Sequence, residues 1–164
     1  MKFCSSCGSP NQKTFIDGNN RFNCTVCGTI HYENPKPTTS LICIKNDKLL
    51  LGRRAFNPAK GEWGLIGGFM ELNENLYESA KRELMEETNL IGNPIKIIDT
   101  YSHFNSLFGD ILIIGIEMEI LDWSTLKAGD DVSETKFFKL NKLPNLAFDS
   151  HKKIIKMYLK NRLS

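Results

Sequence analysis

The sequence predicts an α/β fold, a mixed-sheet α/β/α sandwich, with a small cysteine-rich unit ahead of it. Beyond residue 34, short β-rich runs alternate with polar turns, with one helix in the middle and one at the end. Residues 1–34 differ, because they hold four of the five cysteines and few large aliphatic side chains. Pro35 and Pro37 mark an extended joint, since proline restricts itself and the residue before it. We therefore expect two domains, residues 1–34 and 35–164.

The strands and helices follow from local composition and periodicity. Asp17 to Asn20 is a predicted hairpin turn between two short strands of the first unit. The helix predicted at Leu76–Thr88 begins with a capping box, in which Asn75 caps the first turn and Glu78 returns the bond. The strands of the second unit are expected at 40–44, 49–54, 63–66, 95–102, 110–120 and 135–140, and a closing helix at Ser150–Leu163.

Bulk composition sets limits on the class of protein. The chain of 164 residues is 41% hydrophobic with a net charge of +2, which is typical of a globular protein and gives little attraction for nucleic acid or a membrane surface. Its longest apolar run, Ile111 to Ile116, is far too short to span a membrane. The first residues lack the apolar segment of a secretory signal, which favours a cytoplasmic location.

Four cysteines form two C-x-x-C pairs, Cys4 with Cys7 and Cys24 with Cys27, each followed by glycine. In a reducing compartment such pairs favour a metal, and four thiolates suit the tetrahedral coordination of zinc. Because all four ligands would come from the protein, this Zn²⁺ is expected to be structural. Two disulfides or free thiols are the alternative. The fifth cysteine, Cys43, lies in a predicted strand and is expected to be a buried apolar residue.

Three glutamates share one face of the central helix. Glu83, Glu86 and Glu87 are spaced i, i+3, i+4, which places them within an arc of about 100°. Crowded carboxylates repel one another, and a divalent cation with a preference for oxygen ligands, Mg²⁺ or Mn²⁺, would remove that conflict. A solvated acidic face is the alternative for such a pattern taken alone.

The spacing of fixed residues around this helix resembles the Nudix box. Gly68, Glu74, the run Arg82-Glu83-Leu84, the pair Glu86-Glu87 and Leu90 stand at the positions of that box, which covers residues 68–90. A C-x-x-C ribbon ahead of such a box is similar to a Nudix subgroup that includes NADH pyrophosphatases. The resemblance implies an enzyme that cleaves a diphosphate linkage in a nucleotide.

The resemblance also implies roles for individual residues. Glu83 and Glu87 match the principal metal ligands, Glu86 an additional ligand, and the carbonyl of Gly68 a further metal contact. Arg82 would orient the glutamates through charge-assisted hydrogen bonds, as one of the catalytic residues.

Two further positions of the box concern the ends of the helix. Glu74 would brace the turn into the helix. Asn89 stands where the family usually has glycine, and asparagine is the next-best residue for the left-handed conformation expected there.

A carboxylate that activates the attacking water is expected in a loop before the last strand. Glu134 or Asp131 matches the place where Nudix enzymes often carry this residue. Glu134 is the candidate for general base, and a solvated loop charge is the alternative. His31 is expected to be an ordinary residue of the joint rather than a zinc contact, and His151 is expected on the surface.

The absence of one sequence signature narrows the range of substrates that we expect. The Ser-Gln-Pro-Trp-Pro-Phe-Pro signature of NADH pyrophosphatases is absent, and the matching region is Thr100–Ser106. Residues 29–36 and 146–148 resemble ribbon-bearing Nudix enzymes of ADP-ribose or FAD. His103, Phe104 or Phe108 could stack on a base, with packing in the core or a loop as the favoured alternative.

Two functions remain open from the sequence. The leading one is a Mg²⁺-dependent pyrophosphohydrolase acting on a nucleoside diphosphate linked to another moiety, such as ADP-ribose, FAD or NAD(H). The alternative is a nucleotide-sensing binding module whose ribbon contacts nucleic acid or protein. The intact glutamates favour the enzyme, the weak net charge disfavours a nucleic-acid partner, and the resemblance suggests a homodimer.

Overall fold

The structure is a computed structural model that describes residues 1–162. The chain divides into two compact units, one comprising residues 1–35 and the other beginning at residue 36. Neither helix within the described range is long and apolar enough to cross a membrane.

The first unit is an antiparallel sheet of three short strands. Residues 1–35 form β1 (Asn11–Ile16), β2 (Asn19–Cys24) and β3 (Ile30–His31), in the order β1-β2-β3. The predicted hairpin turn is present but tighter than expected. Asp17 and Gly18 both have positive φ, which suits a two-residue turn matched to the twist of the strands.

The second unit is a mixed sheet with a helix on each face. The elements within residues 36–162 are β4 (Lys36–Lys45), β5 (Lys48–Arg54), β6 (Trp63–Gly64), α1 (Leu76–Thr88), β7 (Ile91–Ser106), β8 (Gly109–Asp122), β9 (Val132–Lys139) and α2 (Asp149–Arg162). The strands run in the order β6-β5-β4-β8-β7, with β9 paired to β5. The pairing of β4 with β8 is parallel, and the other pairings are antiparallel.

Alternation along the strands supplies a separate core to each face. In β4, Leu41 and Cys43 join the core that contains Leu84 of α1, whereas Ile42 joins the core that contains Ile154 of α2. All of these side chains are at most 1% exposed. The predicted α/β/α sandwich is therefore confirmed, and so is the burial of Cys43, which raises the pKa of its thiol to about 12.

The ends of α1 follow the sequence closely. The Asn75 side chain accepts hydrogen bonds from the backbone N–H groups of Tyr77 and Glu78. The Glu78 carboxylate accepts the backbone N–H of Asn75, which completes the capping box. At the other end Asn89 has φ 55° and ψ 22°, the left-handed conformation expected of it. These two caps fix the length and rotation of the helix that carries the glutamates.

Several strands differ from their predicted bounds. β7 and β8 are longer than expected, because they pair along nearly their whole length and bulges near Gly92 and Pro94 absorb residues that disfavour strands. The strand predicted at 63–66 ends at Gly64, because Leu65 donates its N–H to a side chain instead of a neighbouring strand. Of the predicted closing helix, Leu163 lies outside the described residues.

Candidate active site and metal centre

The segment of residues 66–69, which we call the glycine loop, precedes α1 and is bonded to β4 through its backbone. Leu41 donates its N–H to the carbonyl of Ile66, and Thr39 donates its N–H to the carbonyl of Gly68, each at 2.8 Å. A carbonyl oxygen has two lone pairs, so the Gly68 oxygen keeps one acceptor position while bonded to Thr39. These two hydrogen bonds fix the position of the glycine loop, which contacts the glutamates of α1.

Glu87 lies beneath this loop and is almost fully buried. Its side chain accepts a 2.9 Å hydrogen bond from the N–H of Gly67, and the residue is 7% exposed. Burial raises the pKa of Glu87 to about 8, the Gly67 bond opposes the rise, and the nearby carboxylates of Glu83 and Asp131 add to it. A cation at this carboxylate would offset the cost of burying its charge.

Glu83 packs directly against Gly68. A Cβ added to Gly68 would lie 2.7 Å from Oε1 of Glu83, so a larger residue at position 68 would displace the carboxylate. Glu83 is 8% exposed, and burial raises its pKa, while the Arg82 guanidinium opposes the rise. Two buried carboxylates one helical turn apart therefore face the same loop.

Arg82 bonds to the acidic side chains on either side of it. Its Nη1 donates to Oε1 of Glu83 at 2.8 Å and to Oε2 of Glu86 at 2.9 Å. Its Nη2 donates to the carbonyl of Phe69 at 3.0 Å, which ties the glycine loop to the helix. The guanidinium orients Glu83 and Glu86 by charge-assisted hydrogen bonds.

Glu74 completes this arrangement at the start of the box. Arg82 donates Nε and Nη2 to its two carboxylate oxygens at 2.9 and 2.7 Å, and Glu71 donates its N–H to Glu74 at 2.6 Å. The Arg82 hydrogen bond is the main reason that the pKa of Glu74 falls to about 2. Glu74 therefore stays ionised and braces the turn into α1.

The donor set on α1 suits a hard divalent cation. Carboxylates and a backbone carbonyl are the ligands that Mg²⁺ and Mn²⁺ prefer, and Glu83, Glu87 and Gly68 supply these groups around one loop. The residues fit such an ion chemically, since its charge would offset the burial that is the main cause of the raised pKa of Glu83 and Glu87, and the repulsion that adds to it. Among residues 1–162, the group of three or more possible ligands gathered closely enough for one metal ion is the four paired cysteines, whose ligand atoms all lie within 4.8 Å of one another.

The two candidates for a water-activating carboxylate lie in different surroundings. Glu134, on β9, is half-exposed and lies 3.5 Å from Nη1 of Arg53, its register partner on β5. Asp131 precedes β9, and its carboxylate contributes to the raised pKa of Glu87. Asp131 is therefore within electrostatic reach of the glutamate face, whereas Glu134 has a competing cation.

His151 is half-buried rather than exposed on the surface, which corrects the sequence expectation. Its Nδ1 accepts a 3.0 Å hydrogen bond from the N–H of Leu65, and its ring meets Phe148 edge to face at 5.2 Å. Burial lowers the pKa of His151 to about 4, so the ring is neutral at pH 7. No local pattern indicates this contact, because Leu65 and His151 are 86 residues apart in the chain.

Arg54 is a second residue that sequence reasoning missed. Its guanidinium lies over the Phe148 ring, 5.2 Å from the ring centre, and its Nε donates to the carbonyl of Pro58 at 2.6 Å. Its charge also lowers the pKa of Glu87. Arg54 is therefore a cation within electrostatic reach of Glu87.

The aromatic residues considered for base stacking lie on the β7–β8 hairpin. Phe108 meets Phe69 of the glycine loop edge to face at 5.5 Å. Phe104 is 65% exposed, and His103 is also exposed. Packing thus explains part of the position of Phe108, while Phe104 keeps a free face.

The cysteine cluster lies wholly in the first unit. Sγ of Cys4 is 3.6 Å from Sγ of Cys27, and Sγ of Cys7 is 3.5 Å from Sγ of Cys24. Zinc–sulfur bonds of about 2.3 Å place neighbouring sulfurs about 3.8 Å apart in a tetrahedron, so the four thiols fit this metal. Each of the five cysteines carries a free thiol, which excludes the disulfide alternative in this structure.

The turns around these cysteines have the expected geometry. Gly8 and Gly28 both have φ 75°, and each donates its N–H to the carbonyl of the first cysteine of its pair. Burial alone would raise the pKa of Cys4, but hydrogen bonds, those from the backbone of Ser6 and Cys7 first, outweigh it and lower the pKa to about 5. His31 is buried with its Nε2 unpaired within residues 1–162, and its expected role as an ordinary joint residue stays a prediction.

Sequence comparison assigns a family to both parts of the chain. The family described as NUDIX domain matches residues 34–158, and the family described as Nudix N-terminal, a zinc ribbon, matches residues 2–33. The chain belongs to the Nudix hydrolase family, in the subgroup with an N-terminal zinc ribbon, as the box predicted.

Two kinds of curated relative stand out. The chain is 41% identical over 130 residues to the ADP-ribose pyrophosphatase of Methanocaldococcus jannaschii, covering 79% of this chain and 76% of that protein. It is 26% identical over 164 residues to the NAD-capped RNA hydrolase NudC of Stutzerimonas stutzeri, covering 99% of this chain. The chain spans 57% of the length of that NudC.

Solved structures agree with the fold. A Nudix hydrolase from Nitrosomonas europaea matches with a TM-score of 0.86 and 31% identity, over 99% of this chain and 93% of that one. The Nudix domain of Shewanella oneidensis NrtR, solved in complex with ADP-ribose, matches with a TM-score of 0.66 and 25% identity, over 81% of this chain and 91% of that one.

Proposed function

We propose that this Nudix hydrolase cleaves the diphosphate of a nucleoside diphosphate linked to another moiety, with Mg²⁺ or Mn²⁺ as its cofactor. The observation that carries the proposal is the pair of buried carboxylates, Glu83 and Glu87, beneath the glycine loop. Burying two like charges on one helical turn is costly without a cation, and a diphosphate substrate would complete the coordination of that cation.

Each residue of the site has a proposed task. Glu83 and Glu87 hold the divalent ion, with Glu86 and the Gly68 carbonyl as further ligands, and Arg82 keeps Glu83 and Glu86 oriented. The bound ion would neutralise the diphosphate oxygens and lower the pKa of a water molecule. The new bond forms between the water oxygen and phosphorus while the anhydride P–O bond breaks, which releases two phosphate monoesters.

We propose that the proton of the attacking water passes to a carboxylate in the segment before or on β9. The electrostatic effect of Asp131 on Glu87 supports Asp131, while the predicted candidate Glu134 would first have to leave Arg53. Both remain candidates for the general base, and they can be separated by mutation.

ADP-ribose is the substrate that the comparisons support best. The relative with 41% identity is an ADP-ribose pyrophosphatase, and the NrtR domain was solved with ADP-ribose. FAD and NAD(H) are further candidates, and the NudC relatives add NAD-capped RNA. The missing signature between residues 100 and 106 and the exposed Phe104 favour a site different from that of NADH pyrophosphatases.

We also propose that Cys4, Cys7, Cys24 and Cys27 hold one structural Zn²⁺. The four sulfurs are close enough together for one ion, and the ribbon has little apolar core of its own. On this basis residues 1–34 are a zinc ribbon and residues 35–164 the Nudix domain. The homodimer and the cytoplasmic location stay predictions.

The test of the proposed function is a turnover panel with Mg²⁺. ADP-ribose, FAD, NADH, diadenosine polyphosphates and nucleoside triphosphates would each be incubated with the zinc-loaded protein, and the products separated by chromatography. We expect AMP and ribose 5-phosphate from ADP-ribose. Tight binding of a nucleotide without turnover of any substrate would instead support the sensing module.

A further inference from the structure

We propose that His151 is a positioning residue for the reaction: it holds the backbone of Leu65 so that the following glycine loop keeps its place over Glu87. The proposal rests on the proposed function, since Glu87 is there assigned to the metal. His151 itself lies on α2, on the other face of the sheet from α1.

The contact that carries the proposal is direct. Nδ1 of His151 accepts the N–H of Leu65 at 3.0 Å. The side chain of Leu65 is 7% exposed, so its backbone N–H is in a region where an unpaired donor is costly. Leu65 directly follows the end of β6 at Gly64, and the His151 side chain supplies the acceptor for its N–H.

Two further contacts hold the His151 ring in place. A Cβ added to Gly64 would lie 3.2 Å from Nδ1 and Cε1 of His151, so the ring lies against the backbone of β6. Phe148 meets the ring edge to face, and Ala147 donates its N–H to the carbonyl of Trp63 at 2.8 Å. The segment that begins α2 is therefore fixed to β6 by both backbone and side chain.

Leu65 lies two residues before Gly67, whose N–H bonds to Glu87, so a shift of Leu65 would be passed to this hydrogen bond. Gly67 donates its N–H to Glu87, and both flanking carbonyls, of Ile66 and Gly68, are bonded to β4. The peptide that follows Leu65 leads directly into these bonds. Loss of the His151 acceptor would free the start of the loop and lengthen or break the Gly67–Glu87 hydrogen bond.

The chemistry of the ring suits this task. An acceptor at Nδ1 requires the neutral imidazole, and burial lowers the pKa of His151 to about 4. The ring then carries its proton on Nε2 and accepts at Nδ1 throughout the neutral range. Asparagine offers an acceptor oxygen the same number of bonds from the backbone, whereas leucine fills similar space without one.

Amide hydrogen exchange in the zinc-loaded protein without Mg²⁺ tests the contact independently of catalysis. We expect the Leu65 amide to be protected in the wild type and in His151→Asn, and to exchange at least about tenfold faster in His151→Leu. The control is Ile155→Val, which loosens the packing of the same core but leaves the His151 side chain and its acceptor nitrogen in place. Equal exchange in wild type and His151→Leu would overturn the proposal, as would equally fast exchange in Ile155→Val.

Kinetics with saturating ADP-ribose then test the role in the reaction. For His151→Leu we expect kcat per folded protein to fall about tenfold and half-saturating Mg²⁺ to rise by a similar factor, with KM within about twofold. His151→Asn should restore most of both values, which a purely structural role would not require. If His151→Asn is as impaired as His151→Leu, the hydrogen bond is not the cause. If the wild type hydrolyses no nucleotide, the proposed function fails, while the exchange experiment still tests the contact.

Discussion

Arg82 holds both carboxylate oxygens of Glu74, with Nε 2.9 Å from Oε2 and Nη2 2.7 Å from Oε1. The same guanidinium reaches Glu83 and Glu86 through Nη1. One cation therefore sets the position of the loop and of two carboxylates that the proposed metal would use.

The first prediction concerns this guanidinium. Arg82→Lys keeps the charge but cannot form the paired bonds to Glu74, since an ammonium is a point charge without a planar fork. We expect turnover to fall by about one to two orders of magnitude and the free energy of unfolding by about 1–3 kcal/mol. Kinetics and urea unfolding measure both quantities, and Lys81→Gln on the exposed side of α1 is the control. Wild-type turnover in Arg82→Lys would show that the paired hydrogen bonds of Arg82 to Glu74 are dispensable.

The second prediction is a pH dependence of stability without divalent metal. Burial raises the pKa of Glu87 from the ordinary 4.5 to about 8, so the folded state keeps a proton that the unfolded state has lost. Stability should therefore fall as pH rises from about 4.5 to 8, by a few kcal/mol.

Urea unfolding of the zinc-loaded protein at pH 5, 6.5 and 8 measures this slope. Glu87→Gln cannot ionise and should flatten it, and saturating Mg²⁺ should restore stability at pH 8 in the wild type. Parallel pH profiles for wild type and Glu87→Gln would contradict the assignment of the slope to Glu87.

The third prediction separates the two candidates for the general base. Asp131→Asn should lower kcat by about two to four orders of magnitude if this carboxylate takes the proton of water, with metal binding intact. Glu134→Gln should then stay within a few fold of the wild type. The reverse outcome would assign the base to Glu134, as the sequence first suggested, and little effect of either change would exclude the whole segment.

The fourth prediction concerns the cysteine cluster. Metal analysis should find about one zinc per chain, and Cys4→Ser should lose it, because zinc binds four thiolates far better than three and a hydroxyl. The ribbon should then lose its protection from proteolysis, since the metal supplies much of its folding energy. Cys43→Ser, in the core of the other unit, is the control and should keep its zinc. A zinc-free wild-type protein with an ordered ribbon would refute the assignment.

Local signals in the sequence accounted for much of the fold. The caps at Asn75 and Asn89 predicted both ends of α1. Spacing alone put the box glutamates on one face of the helix, because that relationship depends on residues within two turns.

What the sequence could not supply are contacts between distant parts of the chain. The extra length of β7 and β8 comes from pairing over the whole hairpin, which overrides weak local propensity at Gly92 and Pro94. The inward position of His151 depends on Leu65, and the ion pair of Glu134 depends on Arg53, more than 80 residues away in each case. Periodicity carries no information about such pairs.

The most direct measurement of the proposed function compares Mg²⁺-dependent cleavage of ADP-ribose by the wild type and by Glu87→Gln. The change keeps the size and helix propensity of the side chain and removes its charge. We expect the wild type to release AMP and ribose 5-phosphate, and Glu87→Gln to be slower by about two to four orders of magnitude while remaining folded. Full activity in a folded Glu87→Gln protein would contradict the assignment of the box glutamates to catalysis.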